Sequence, residues 1–354
     1  MKISFKILVV LLMLCTFSFA DEFNEALNAD EEGNFVKAAQ LYKKACDDEN
    51  IKACFNLGTM YDFGDGVGQD YKKAAELYEK ACNKDNTDAC YNLAILNEKG
   101  NGIEQNFTQA AKLYKKICDN DEFDACINLG ILYEEGDGVE QNYVQAAELY
   151  KKACSQYYTN GCYNLAILHE DGNGVEKDYA KAAELYKKAC DNNDTDACYN
   201  LAILYESGNG VKKSYAKAAR LYIKACDNDD AGACYNLAIL CENGNGVKQN
   251  YVQAVKLYKK ACNRGNDDAC YNLALLYEDG KGIKKDYTKA IKLYEEACDK
   301  NHGLSCNNLG LLYDEGKGVK KDTDKALELY KQSCDVGTNL GCENYKKSKI
   351  FSKK

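Results

Sequence analysis

Eighteen cysteines fall into nine pairs whose members stand eight positions apart, and each pair follows the last by 36 residues. The pairs are Cys46/Cys54, Cys82/Cys90, Cys118/Cys126, Cys154/Cys162, Cys190/Cys198, Cys226/Cys234, Cys262/Cys270, Cys298/Cys306 and Cys334/Cys342. Residues 47–334 are thus eight units of 36 with no insertion. A fixed period of that size restricts the chain to a stacked repeat, because one unit cannot bury its own apolar face and relies on its neighbours to cover it.

The pattern within a unit selects the kind of repeat. Tyr71, Ala74, Ala75, Tyr78, Ala81 and Cys82 recur at helical spacing, with Lys72, Lys73, Glu76, Glu79 and Lys80 on the other face, which predicts an amphipathic second helix. Ala89 to Leu96 is apolar nearly all round, as expected of a first helix sandwiched between neighbours. Small residues at Gly58, Ala94, Gly130 and Ala166 would let another helix approach closely. Between the helices runs Gly64-Asp65-Gly66-Val67, echoed by Gly100-Asn101-Gly102-Ile103. Its first glycine is suited to end a helix in the left-handed conformation, and Asp70, Asp178 or Ser214 to cap the next helix. These glycines follow helices rather than strands and lack a lysine signature, so they do not read as a phosphate cradle. The expected fold is all-α: a right-handed superhelical solenoid of antiparallel helix pairs, cross-linked by disulfides.

The run Ala-Cys-Tyr-Asn-Leu-Ala-x-Leu-Tyr, then Gly-x-Gly-Val, then Lys-Ala-x-x-Leu-Tyr-x-Lys-Ala-Cys resembles the Sel-one-like repeat, a relative of the tetratricopeptide repeat. With its paired cysteines the chain is similar to the Helicobacter cysteine-rich proteins over about residues 22–345. The resemblance implies a helical scaffold, and it implies penicillin binding or weak β-lactam hydrolysis as an activity to be tested.

Residues 1–20 read as a secretory signal peptide: Lys2 and Lys6, an apolar run from Ile7 to Leu14, and Ser18-Phe19-Ala20 before Asp21, with cleavage expected after Ala20. No stretch is long and apolar enough for a membrane span. A secreted or periplasmic location suits the cysteine count, since disulfides persist in oxidising compartments. Without residues 1–20 the chain holds 44 Lys and Arg against 55 Asp and Glu, or −11, and only Arg220 and Arg264 offer guanidinium groups. Nucleic acid is therefore not an expected partner. The predicted organisation is the signal at 1–20, a partial repeat at 21–46, eight repeats over 47–334, and a closing helix with a basic tail at 335–354.

Candidate chemistry is sparse, and neither a catalytic residue, a metal nor a cofactor is expected. His169 and His302 lie in different repeats, and His169 takes a position that Tyr61, Tyr133, Tyr205, Tyr277 and Tyr313 fill elsewhere. Ser214-Tyr215-Ala216-Lys217 matches the Ser-x-x-Lys of serine β-lactamases, but the accompanying Ser-Asp-Asn and Lys-Thr-Gly elements are missing, and Ser214 sits at a cap position. The acidic turns Asp191–Asp194 and Asp227–Asp230 lack the spaced ligands of a calcium loop. Cys241 has no partner eight residues away and is expected to be a buried free thiol.

The strongest binding candidate is a ladder. An asparagine follows every second cysteine by two positions, and Asn128, Asn164, Asn200, Asn236 and Asn272, with Tyr163, Tyr199, Tyr235 and Tyr271 beside them, could grip the backbone of an extended peptide. The same recurrence fits an internal tie between repeats. The expected function is a monomeric scaffold that binds a protein, peptide or cell-wall partner. Peptidoglycan fragments and β-lactams are alternatives, as is a host-directed structural factor.

Overall fold

The computed structural model describes residues 22–351. The leader assigned to residues 1–20 lies outside them. Nineteen helices and no strand occur among the described residues. Residues 22–31 form α1, Phe35–Asp47 is α2, and from there first and second helices alternate. The first helices are α3 (Ile51–Phe63), α5 (Thr87–Lys99), α7 (Phe123–Glu135), α9 (Thr159–Asp171), α11 (Thr195–Ser207), α13 (Ala231–Asn243), α15 (Asp267–Asp279) and α17 (Gly303–Glu315). The second helices after α2 are α4 (Tyr71–Cys82), α6 (Phe107–Cys118), α8 (Tyr143–Ser155), α10 (Tyr179–Asp191), α12 (Tyr215–Asp227), α14 (Tyr251–Asn263), α16 (Tyr287–Asp299) and α18 (Thr323–Asp335). A last helix, α19 (Asn339–Phe351), follows α18. Two compact units, divided between Lys177 and Asp178, are each a solenoid in which consecutive helices pack on one another.

The core of each repeat is a tyrosine set into a gap on the first helix. Tyr42, Tyr78, Tyr114, Tyr150, Tyr186, Tyr222, Tyr258, Tyr294 and Tyr330, one per second helix, are all at most 1% exposed. The ring of Tyr150 lies so close to Gly130 that a Cβ there would meet it at 2.5 Å, and Gly58 and Gly310 stand in the same relation to Tyr78 and Tyr330. Small residues at this position of the first helix are thus the socket for the tyrosine ring, which gains dispersion contacts over its whole surface.

The turn glycines have two separate roles. Gly64 ends α3 at φ 84°, and its N–H donates to Met60 O. Gly66, two residues later, also has positive φ, and a Cβ on it would fall 2.2 Å from the backbone carbon of Phe35 at the start of α2. Gly102 stands in the same way against Tyr71, and Gly246 against Tyr215. The second glycine therefore allows each interhelical loop to lie directly on the preceding repeat, a close approach that any side chain would block. Asp70, Asp178 and Ser214 cap the second helices as expected, each accepting from the backbone N–H three residues on.

Repeats are also tied by cysteines and lysines. Nine disulfides form, with Cα atoms 4.4 to 4.8 Å apart: Cys46–Cys54, Cys82–Cys90, Cys118–Cys126, Cys154–Cys162, Cys190–Cys198, Cys226–Cys234, Cys262–Cys270, Cys298–Cys306 and Cys334–Cys342. The first member of each pair stands at or next to the end of a second helix. The other member is the fourth residue of the helix that follows: Cys54 in α3, Cys90 in α5, Cys126 in α7, Cys162 in α9, Cys198 in α11, Cys234 in α13, Cys270 in α15, Cys306 in α17 and Cys342 in α19. Every bond therefore crosses the turn from one repeat to the next, and none joins equivalent positions 36 residues apart. Lys80 Nζ reaches the carbonyl of Cys46 at 2.7 Å, and Lys152 reaches that of Cys118 at 2.7 Å. The ammonium satisfies a terminal carbonyl of the neighbouring second helix at its negative end. Sequence periodicity marks these lysines only as surface charge, since their partner is 34 residues away.

Candidate functional site

The predicted ladder asparagines are half-buried, and those with defined partners bond to tyrosine hydroxyls. Asn128 Nδ2 donates to the Tyr91 hydroxyl at 3.1 Å. Asn236 Nδ2 lies 3.4 Å from the Tyr199 hydroxyl and 3.3 Å from that of Tyr222. Asn308 repeats this with Tyr271 and Tyr294, both at 3.3 Å. Asn164 bonds to Tyr150, and Asn272 to Tyr235 and Tyr258. Asn200 is half-buried at the equivalent position, and so is Tyr163 beside Asn164. The amide of one repeat thereby links the first and second helices of the repeat before it.

The core tyrosine continues the chain of bonds. Tyr222 donates to Glu206 Oε2 at 2.8 Å, Tyr114 to Glu98 at 2.7 Å, Tyr150 to Glu134 at 2.9 Å and Tyr258 to Glu242 at 2.8 Å. Tyr78 uses Asp62 at 3.1 Å. Burial, which disfavours the phenolate, pushes Tyr78 up to about 12, and an adjacent carboxylate raises Tyr114, Tyr150, Tyr222, Tyr258 and Tyr294 further. Burial also raises the Glu278 carboxyl. The acid 16 residues before Tyr114, Tyr150, Tyr222 and Tyr258 was not singled out from sequence, although its recurrence in a Leu-x-Glu pattern is visible there.

The first helix also presents a stripe, whose tyrosine and last acid take part in this network as well. Asp196, Tyr199, Ile203 and Glu206 are spaced i, i+3, i+7 and i+10, so they line one face of α11. Equivalent sets are Asp88-Tyr91-Ile95-Glu98 on α5 and Asp268-Tyr271-Leu275-Glu278 on α15. Ile131 and Ile203 are 36% and 37% exposed, which is unusual for isoleucine in a packed helix. Charge follows the same division. The eight first helices α3 to α17 hold 17 Asp and Glu against two Lys, whereas the nine second helices α2 to α18 hold 24 Lys and Arg against 13 Asp and Glu.

The other candidates have structural partners. Ser214 Oγ accepts from Lys217 N at 3.3 Å, while Lys217 Nζ sits over the Tyr205 ring at 4.7 Å. The cap and the cation–π contact account for both members of the Ser-x-x-Lys match. His169 Nδ1 lies 3.2 Å from Glu176 O. His302 caps α17 and reaches Asp268 Oδ1 at 3.1 Å. In the acidic turns, Asn193 and Asp229 take left-handed φ of 70° and 68°, Asp194 and Asp230 cap α11 and α13, and Asp229 pairs with Lys260 and Arg264. Cys241 is free and buried, and burial pushes its thiol up, away from the thiolate form.

Comparison with known proteins gives a consistent picture. The family described as Sel1 repeat matches residues 29–50, 51–86, 87–122, 123–158, 159–194, 195–230, 231–266, 267–302 and 303–337. No curated protein matches the sequence. Among solved structures, c5321, a protective antigen of uropathogenic Escherichia coli with an SLR fold, is 28% identical with a TM-score of 0.81. The alignment covers 87% of this chain and 66% of that one, so the chain spans about two thirds of its length. A Sel1 repeat protein from Oxalobacter formigenes is 21% identical, with a TM-score of 0.69 and coverage of 87% and 89%. Helicobacter pylori cysteine rich protein B is 37% identical over 36% of this chain and 90% of that one, with a TM-score of 0.30. Among the described residues no helix is long and apolar enough to cross a membrane. Nine disulfides in one chain indicate an oxidising compartment outside the cytoplasm.

Proposed function

Because the chain belongs to the Sel1 repeat family, we propose that it is an exported protein-binding scaffold whose first-helix stripes hold an extended, lysine- or arginine-rich segment of a partner polypeptide. The observation that carries this reading is the division of charge between the two helix sets, with 17 acids against two lysines on the first helices. An acidic face interleaved with Tyr199, Ile203 and their equivalents offers apolar contact to a partner's side chains and attraction to its cations. Tyrosines contribute large contact areas at small entropic cost. The asparagine row has a separate role in this reading: its amides hold neighbouring repeats in register, and recognition falls to the side chains at either side of it.

A direct test uses synthetic 15-residue peptides alternating Lys or Arg with Leu, and counterparts carrying Glu. The cationic peptides should bind with an affinity that falls as salt rises. Replacing Ile203, Ile239 and Leu275 together by Ser should weaken that binding at least about tenfold, a loss of about 1.4 kcal/mol. Val252→Ser on an exposed second-helix position, 52% exposed, should not. Equal binding of the anionic peptides, or indifference to the triple variant, would overturn the reading.

A further inference from the structure

Three first helices lack the tyrosine that the other five carry at one position: Asn97, His169 and Cys241 replace it. At the eleventh position of the first helix, Tyr61, Tyr133, Tyr205, Tyr277 and Tyr313 recur, and Asn97 stands in their place on α5. In three of those siblings a lysine of the following second helix covers the ring: Lys73 over Tyr61 at 5.0 Å, Lys217 over Tyr205 at 4.7 Å and Lys289 over Tyr277 at 5.4 Å. The equivalent of that lysine on α6 is Gln109. Ring and cover are therefore both replaced by shorter carboxamides within the same repeat.

The result is an open groove of about 440 Å³ between α4, α5 and the start of α6. Ala75, Leu93 and Ile103 give it an apolar floor. Asn97, 7% exposed, forms its inner wall and turns its amide N–H back onto Leu93 O at 2.8 Å. Asn106 is committed as the α6 cap, accepting from Gln109 N at 3.0 Å. Lys72, Glu76, Glu79 and Gln109 surround the mouth.

We propose that this groove is a binding site for a tyrosine side chain of the partner polypeptide, which supplies the ring that Asn97 leaves out; this rests on the polypeptide-binding reading above. Three observations select a phenol. The site is the counterpart of one that this fold fills with a tyrosine in five other repeats. Two carboxylates, Glu76 and Glu79, stand at its edge, and a phenol hydroxyl donating to a carboxylate is the pairing that Tyr114–Glu98 and Tyr258–Glu242 already make within the protein. None of the lining residues is aromatic, so the flat platform on which a sugar ring would stack is missing.

The intact protein can be titrated with p-cresol, the tyrosine side chain itself, and with 4-methylcyclohexanol as a non-aromatic counterpart, followed by the amide resonances of residues 93–109. The expected result is saturable shifts with p-cresol that are at least fivefold weaker with 4-methylcyclohexanol and lost in Asn97→Tyr, a substitution that restores the sibling residue. Glu76→Gln combined with Glu79→Gln should weaken p-cresol several-fold while leaving the helical signal unchanged. A cationic peptide containing one tyrosine should then bind more tightly than its Tyr→Ala version, and Asn97→Tyr should abolish the difference. Absence of p-cresol shifts in the wild-type protein, equal shifts with 4-methylcyclohexanol, or p-cresol binding retained by Asn97→Tyr would overturn the site and leave the acidic-stripe reading standing. If p-cresol behaves as expected but tyrosine adds nothing to the peptide, the peptide origin of the phenol is overturned. Loss of all peptide binding with intact p-cresol shifts would instead overturn the polypeptide-binding reading.

Discussion

First and second helices of these repeats have nearly the same length and opposite surfaces. A first helix such as α11 is packed on several sides, shows a narrow stripe of Asp196, Tyr199, Ile203 and Glu206, and carries net negative charge. A second helix such as α14 buries Ala254, Val255, Leu257, Tyr258 and Ala261 on one face and presents Lys256, Lys259 and Lys260 elsewhere. The helix set with the stronger amphipathic pattern supplies the core anchor, and the set with the weaker pattern carries the acidic surface, with Ile131 and Ile203 among its exposed positions. In a solenoid, a helix covered by neighbours loses most of its periodic signal, so the few positions left open on it are conspicuous for what they present.

The comparison can be broken most completely at high pH. Burial raises Tyr42, Tyr78 and Tyr330 to about 12, and five further core tyrosines are raised as well. A phenol whose folded pKa exceeds its unfolded value of about 10 contributes stability that is full below pH 10 and lost as pH climbs through the folded value. The folded state should therefore collapse cooperatively above about pH 10. Far-UV circular dichroism and phenolate absorbance near 295 nm should change together for the core tyrosines.

Single substitutions sharpen the same contrast. Tyr258→Ala empties a fully buried site and strands Glu242, and should cost about 3–5 kcal/mol in urea unfolding, in the range of large-to-small core changes. Val252→Ala on the same helix should cost less than about 0.5 kcal/mol, because its side chain is 52% exposed. Replacing Cys190 and Cys198 together by Ala reopens a nine-residue loop and should cost about 2.5 kcal/mol from unfolded-chain entropy, with no change in the helix content seen by circular dichroism.

A smaller effect than the loss of a core tyrosine or a disulfide separates the asparagine row from the stripe. Asn236→Ala removes the bonds to Tyr199 and Tyr222 and should lower stability by about 1 kcal/mol while leaving peptide affinity per folded molecule unchanged. If affinity falls and stability does not, the asparagines are the grip that the ladder describes, and the stripe loses its claim to the partner.

Sequence alone determined the all-helical repeat, its 36-residue period and the cysteine partners, because each depends on neighbours close in the chain. An eight-residue spacing across a tight turn leaves little choice of partner, and a period of 3.6 in Tyr71–Cys82 identifies the buried face without knowledge of what covers it. The cap at Ser214 was legible for the same reason. What the asparagines touch was not legible, since Asn236 meets Tyr199 across 37 residues and both an internal tie and an exposed ladder produce the same regular row. Only the tertiary structure decided that Gly130 is a socket for Tyr150, that Gly66 lies against Phe35, and that Asn97 borders a groove where five of its siblings place a tyrosine. These features arise at the contact between neighbouring helices, where a missing side chain is either filled by the next helix or left empty. Spacing along the chain carries no measure of that distance.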